Sequence, residues 1–142
     1  MPVSLAYARS STLAEASSYL RAMTPEEMLA HCLRKPGAWP DNPWGHVHPV
    51  VKVHDKIFAF IGDDGVGVKS GTIREVADEW LKRYPDEASV MRYIGRSGWN
   101  DLRFNGAISD DEVCEAVDES YVLIVGKLAK KHRPDGWDAD QA

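Results

Sequence analysis

Cysteine is scarce in this 142-residue chain, and long apolar runs are missing altogether. Two isolated thiols, Cys32 and Cys114, cannot make a disulfide framework. Both fall on predicted helices among apolar neighbours, where a free cysteine behaves as a small core residue. No stretch approaches the ~20 apolar residues that span a bilayer. The opening MPVSLAYARSSTLAEASSYL lacks a charged segment followed by a continuous hydrophobic one, so no membrane span or secretory leader is expected and a cytoplasmic location is. Positive charge is also short: 17 Lys and Arg against 22 Asp and Glu leave a net −5. That balance excludes a general coating of nucleic acid while leaving room for a local basic face. An apolar share of 44% with five Trp suits one domain that buries a core without metal or disulfide.

Reactive motifs are missing too. In GDDGVGVKSGT, Gly62 and Gly67 begin a phosphate-loop spacing, but Val68 stands where the lysine is required and Lys69 arrives inside an alternating run. A hairpin turn explains these glycines. His48 and His54 could share a strand face near His46, yet a third ligand at metal spacing is lacking, so no metal is expected. Ser97, Ser109 and Ser120 have no nucleophile elbow around them. Asp110-Asp111 opens a helix and Lys127, Lys130 and Lys131 close it, an order that the helix dipole alone favours. No enzyme, cofactor or catalytic residue is expected.

What is present is a run of well-marked elements. Residues 1–22 read as an N-terminal extension with a short helix, capped by Thr12 and Glu15. Thr24-Pro25-Glu26-Glu27 starts a second helix whose buried face is Met28, Leu29, Cys32 and Leu33. AWPDNPWG is expected as an ordered loop, with Trp39 and Trp44 packed on the sheet or its edge. From Val47 the period is two, Asp55-Lys56 turns the chain, and Ile57 to Ile61 reads as a central strand. A turn at Gly62 to Gly65 leads to a strand over Val66 to Lys69, completing a meander. Thr72 and Glu75 cap a helix with Ile73, Val76, Ala77, Trp80, Leu81 and Tyr84 on its apolar face. A strand around Ser89 to Tyr93 and another ending at Phe104 follow. Asn105-Gly106 then turns into a long helix capped by Ser109 and Glu112, with Val113, Val117, Tyr121, Ile124 and Leu128 in one stripe. The order is (α)-α-βββ-α-ββ-α, an α+β domain over residues 23–133 with helices packed on an antiparallel sheet. Residues 134–142 read as a loose tail.

The stretches TPEEMLAHCLRKPGAW, PWG, VVKVHDKIFAFIG, YIGRSGWNDLRFNG and DESYVLIVGKL, in that order from Thr24 to Arg133, resemble the MmcQ/YjbR family. The resemblance implies a secretion-chaperone-like or CyaY-like fold. It also implies DNA binding through a double-wing arrangement of hairpin loops, with no catalytic residues. The wings would be the His54-Asp55-Lys56 turn and the Tyr93-to-Gly98 loop. The expected contacts to double-stranded DNA are Lys56, Lys69, Arg92, Arg96 and Arg103, made by a monomer. Two other readings are a chaperone-like interaction module using the sheet face, and a carrier whose pocket is lined by Trp39, Trp44 and Trp99.

Overall fold

The computed structural model describes residues 22–139, so the expected helix from Thr12 lies outside the described residues. Helix α1 (Pro25–Leu33) begins at the expected capping box, with Thr24 and Glu27 satisfying each other's backbone amides. The chain then forms β1 (Ala38–Asp41), β2 (Val50–Val53), β3 (Lys56–Ile61) and β4 (Gly65–Lys69). Helix α2 (Arg74–Arg83), β5 (Ala88–Val90), a 3-10 turn (Gly95–Ser97), β6 (Trp99–Arg103), α3 (Asp110–Gly126) and a 3-10 turn (Lys130–His132) complete it.

The six strands pair antiparallel in the order β1-β2-β3-β4-β6-β5, an α+β architecture with the expected central meander. The expected loop AWPD is instead the edge strand β1, paired along β2 from Ala38↔Val53 to Asp41↔Val50. Pro40 is tolerated there because an edge strand has one row of amides without a sheet partner. The strand expected from Val47 starts only at Val50, and Val47 is 87% exposed. Helix α2 is not capped by Thr72. Its N-cap is Ile73, without a side-chain bond, and Ile73 and Val76 are half exposed rather than buried. Residues 134–139 are not a detached tail: Trp137 packs against the core beneath the Arg133 guanidinium.

One irregularity places the long helix. Between β2 and β3 the register passes from Val51↔Ala59 to Lys52↔Ile57, leaving Phe58 as the extra residue of a bulge. The bulge turns Phe58 toward the helices, where its ring meets Tyr121 edge-on at 5.2 Å. Its carbonyl and the Lys69 amide are both taken by the buried Ser120 hydroxyl, which donates to Phe58 O at 2.7 Å and accepts from Lys69 N–H at 2.9 Å. One residue on, the Tyr121 hydroxyl donates to Pro36 O at 2.6 Å, tying α3 to the end of α1. Asp118 completes the seam with His31 and Lys35 of the α1 side, each at 2.7 Å.

Burial of Asp118 opposes its ionisation, but the hydrogen bonds from His31 and Lys35 outweigh it and hold the carboxyl below its usual range. The His31 imidazole, next to Asp118 and then Cys114, is raised to about 9. A pKa raised on folding adds stability that is full below the unfolded value and vanishes as pH passes the folded one. His31→Gln is therefore expected to cost about 1 kcal/mol near pH 6, a figure reduced for partial exposure, and close to nothing above about pH 9.5. Ser120→Ala, which strands two buried backbone groups, is expected to cost about 3 kcal/mol. Urea unfolding of both variants across pH measures these losses.

Candidate nucleic-acid interface

The strand registers divide the sheet into two ends. At one lie Val53 and Lys56, then Lys69 opposite Trp99, then Val90. At the other lie Ile61, Gly65 opposite Arg103, and Ala88. Helix α3 runs from the second end to the first, because Glu112 in its first turn binds Tyr84 and Arg83 at the close of α2. Ser120, two turns on, reaches Phe58 and Lys69.

The first end gathers cations. Both wing candidates are there: the two-residue turn before Lys56 and the loop from Tyr93 to Gly98 carrying Arg96, with Arg92 just before it. The end of α3 adds Lys127, and the 3-10 turn adds Lys130 and Lys131, all exposed. One contact joins these pieces: His132 stacks on His54 at 4.0 Å between ring centroids. Asp55 is the acidic residue within these turns. The lysines beyond α3 are cations that the dipole argument had explained away; their proximity to the wings depends on the direction of α3 across the sheet, which no local pattern encodes.

Two of the five expected contacts are not exposed at this end: Lys69 is buried there, and Arg103 is at the opposite end. Lys69 is only 3% exposed, and its ammonium donates to Ser97 O, so it supports the loop from below rather than facing solvent. Burial, then Lys127, lowers its pKa. Arg103 stands at the opposite end of β6, four residues or ~13 Å from Trp99, and is paired with Asp64 at 3.5 Å. It lines a groove of about 410 Å3 on the face away from the helices, with Phe60, Gly65, Gly67, Ser89 and Asp101. Burial, then Asp64, raises the Asp101 pKa there. Lys56, Arg92 and Arg96 remain at the first end, with Lys56 on β3 and the arginines beyond β5, about 14 Å away across β4 and β6.

The three indoles do not share a pocket. Trp39 on β1 and Trp99 on β6 are separated by three intervening strands, ~19 Å across the sheet. Trp99 is buried, edge-on to Phe60 at 5.5 Å, while Trp39 covers the sheet edge beside Lys52 and donates to His54 O at 2.8 Å. Trp44 is 57% exposed beside His46, without the expected seat on the sheet. The histidines also diverge: His48 binds Asp63 at 2.7 Å, at the far end from His54.

The Tyr93 loop is held firmly. Arg74, the first residue of α2, donates to Gly95 O at 2.7 Å and Trp99 O at 3.1 Å, and also reaches the Asn100 side chain. Gly98 sits at φ 97° against the Gly71 carbonyl, where a side chain has no room. Ile94 N–H donates to Arg92 O at 2.7 Å across Tyr93 at φ 68°, a strained three-residue γ-turn. Tyr93→Gly is expected to raise stability by about 1 kcal/mol in urea unfolding, because glycine occupies that region without strain.

Comparisons with known proteins agree with the fold. A family model described as YjbR matches residues 33–123. The uncharacterized protein YjbR of Escherichia coli K12 is 29% identical over 115 residues, covering 78% of this chain and 95% of that protein. Its counterpart in Escherichia coli O157:H7 matches to the same extent. The crystal structure of Deinococcus radiodurans protein DR2400, a DUF419 domain, superposes with a TM-score of 0.68 at 19% identity, over 78% of this chain and 85% of that one.

Proposed function

The chain belongs to the YjbR family, and from that premise and its charge layout we propose that it is a non-enzymatic DNA-binding domain whose contacts are made by one end of the sheet. The observation that carries the reading is the placement of Lys56, Arg92 and Arg96 at the same end of the sheet as Lys127, Lys130 and Lys131. Flexible exposed cations of this kind grip phosphate oxygens and read little sequence. The acidic groove at the opposite end would orient the protein during encounter, keeping its negative charge away from the backbone.

A second reading has an observation of its own. No helix among the described residues covers the far face of the sheet, where Trp39 is 41% exposed on the edge strand β1 and the groove runs across β3, β4, β6 and β5. A chaperone-like partner could add itself there. The two readings predict opposite sites of damage.

Duplex DNA affinity measured at about 50 and 200 mM salt tests the first reading. Four to six phosphate contacts imply a fall of roughly 10²- to 10³-fold between those conditions. The double variant Arg92→Ala/Arg96→Ala is expected to lower the slope of log affinity against log salt by about 2, whereas Arg103→Ala leaves it unchanged. Absence of binding at the lower salt refutes the reading.

A further inference from the structure

We propose that Tyr93 stacks on an unpaired nucleobase, so that the basic end prefers a single strand, or a strand opened at one base, to an undisturbed duplex. The proposal rests on the nucleic-acid reading above and narrows its substrate. Tyr93 is 96% exposed, more than any other large hydrophobic side chain among the described residues. A phenol ring placed wholly in water forgoes the burial that normally recommends it. It does so from a backbone conformation that is itself strained, at φ 68° in a turn closed by Ile94 N–H and Arg92 O.

The loop around it is not slack. Arg74 holds the Gly95 carbonyl, the Ser97 hydroxyl donates to Ile94 O at 2.9 Å, and Lys69 props Ser97 from beneath. Val90 packs over Gly95 so closely that a Cβ there would collide with its methyl group. A ring presented by a braced turn loses little conformational entropy when it binds. Arg92 and Arg96 flank it in the chain, both exposed. An aromatic residue with one arginine just before it and another three residues on suits the alternation of base and phosphate along a single strand, and stacking of this kind is tolerant of sequence. In a regular duplex the base faces are hidden, so the ring gains nothing there.

Fluorescence anisotropy with four short labelled probes tests the proposal on the full chain: oligothymidine, a matched duplex, the duplex with one bulged base, and an abasic strand. At about 50 mM salt, oligothymidine and the bulged duplex are expected to bind more tightly than the matched duplex. Tyr93→Ala should weaken oligothymidine about 5- to 100-fold, leave the abasic strand and the salt slope unchanged, and be reversed by Tyr93→Trp. An unaltered melting temperature certifies the fold of each variant. If Tyr93→Ala binds every probe like the parent while Arg92→Ala/Arg96→Ala weakens them all, stacking is refuted and the phosphate grip survives. Equal loss on the abasic strand also overturns the proposal, since the ring would then act through the loop. If no probe binds, both readings fall.

Discussion

The hydroxyl of Ser120 bridges β3 and β4 at Phe58, the residue where β3 bulges against β2, and most of the layout follows from that bridge. It is fully buried, it donates to one strand and accepts from the next, and it sits mid-way along the only long helix among the described residues. Two buried backbone groups would otherwise lack partners, which forbids the helix from sliding along the sheet. With that point pinned, Asp118 and Tyr121 meet the α1 side, Glu112 meets α2, and Lys127 to His132 arrive beside the two wings. The electrostatic character of the surface is thus a consequence of where one helix is fastened.

Charge in this molecule is sorted by place rather than by excess. The net −5 hides a cationic end and an acidic one, with Asp63, Asp64 and Asp101 gathered around the turn and groove at the latter. Helix α3 contributes to both, Asp110 and Asp111 at its start and the lysines after its end. The arrangement suits the helix dipole, and the same charges lie at opposite ends of the sheet only because α3 crosses it from end to end. Stability and surface chemistry here use the same residues.

Local signals spoke clearly where one element was enough to decide. The capping box at Thr24, the left-handed Asn105 before α3 and the strand over Val66 to Lys69 all stand as their residues imply. The errors cluster where long-range partners overrule the local pattern. AWPD looks like a proline loop because pairing with β2 is invisible in its own four residues. Thr72 looks like a cap because nothing nearby reveals that Arg74 is drawn into the Gly95 and Trp99 carbonyls. Arg103 and Lys69 read as members of one basic hairpin because linear spacing does not say which end of a strand a side chain serves, or that Ser97 will fold over an ammonium group. The cations after α3 were legible as residues but not as neighbours of the wings.

The proposed DNA binding requires the cationic end, and not the groove, to be the working surface. Backbone amide chemical shifts followed during titration with a short oligonucleotide examine this most directly. Changes confined to Lys56, the segment from Arg92 to Ser97 and the segment from Lys127 to His132, with Asp64, Gly67 and Arg103 unmoved, are the predicted result. Changes centred on Gly65 to Gly67 and Asp101, with Arg96 silent, would contradict it.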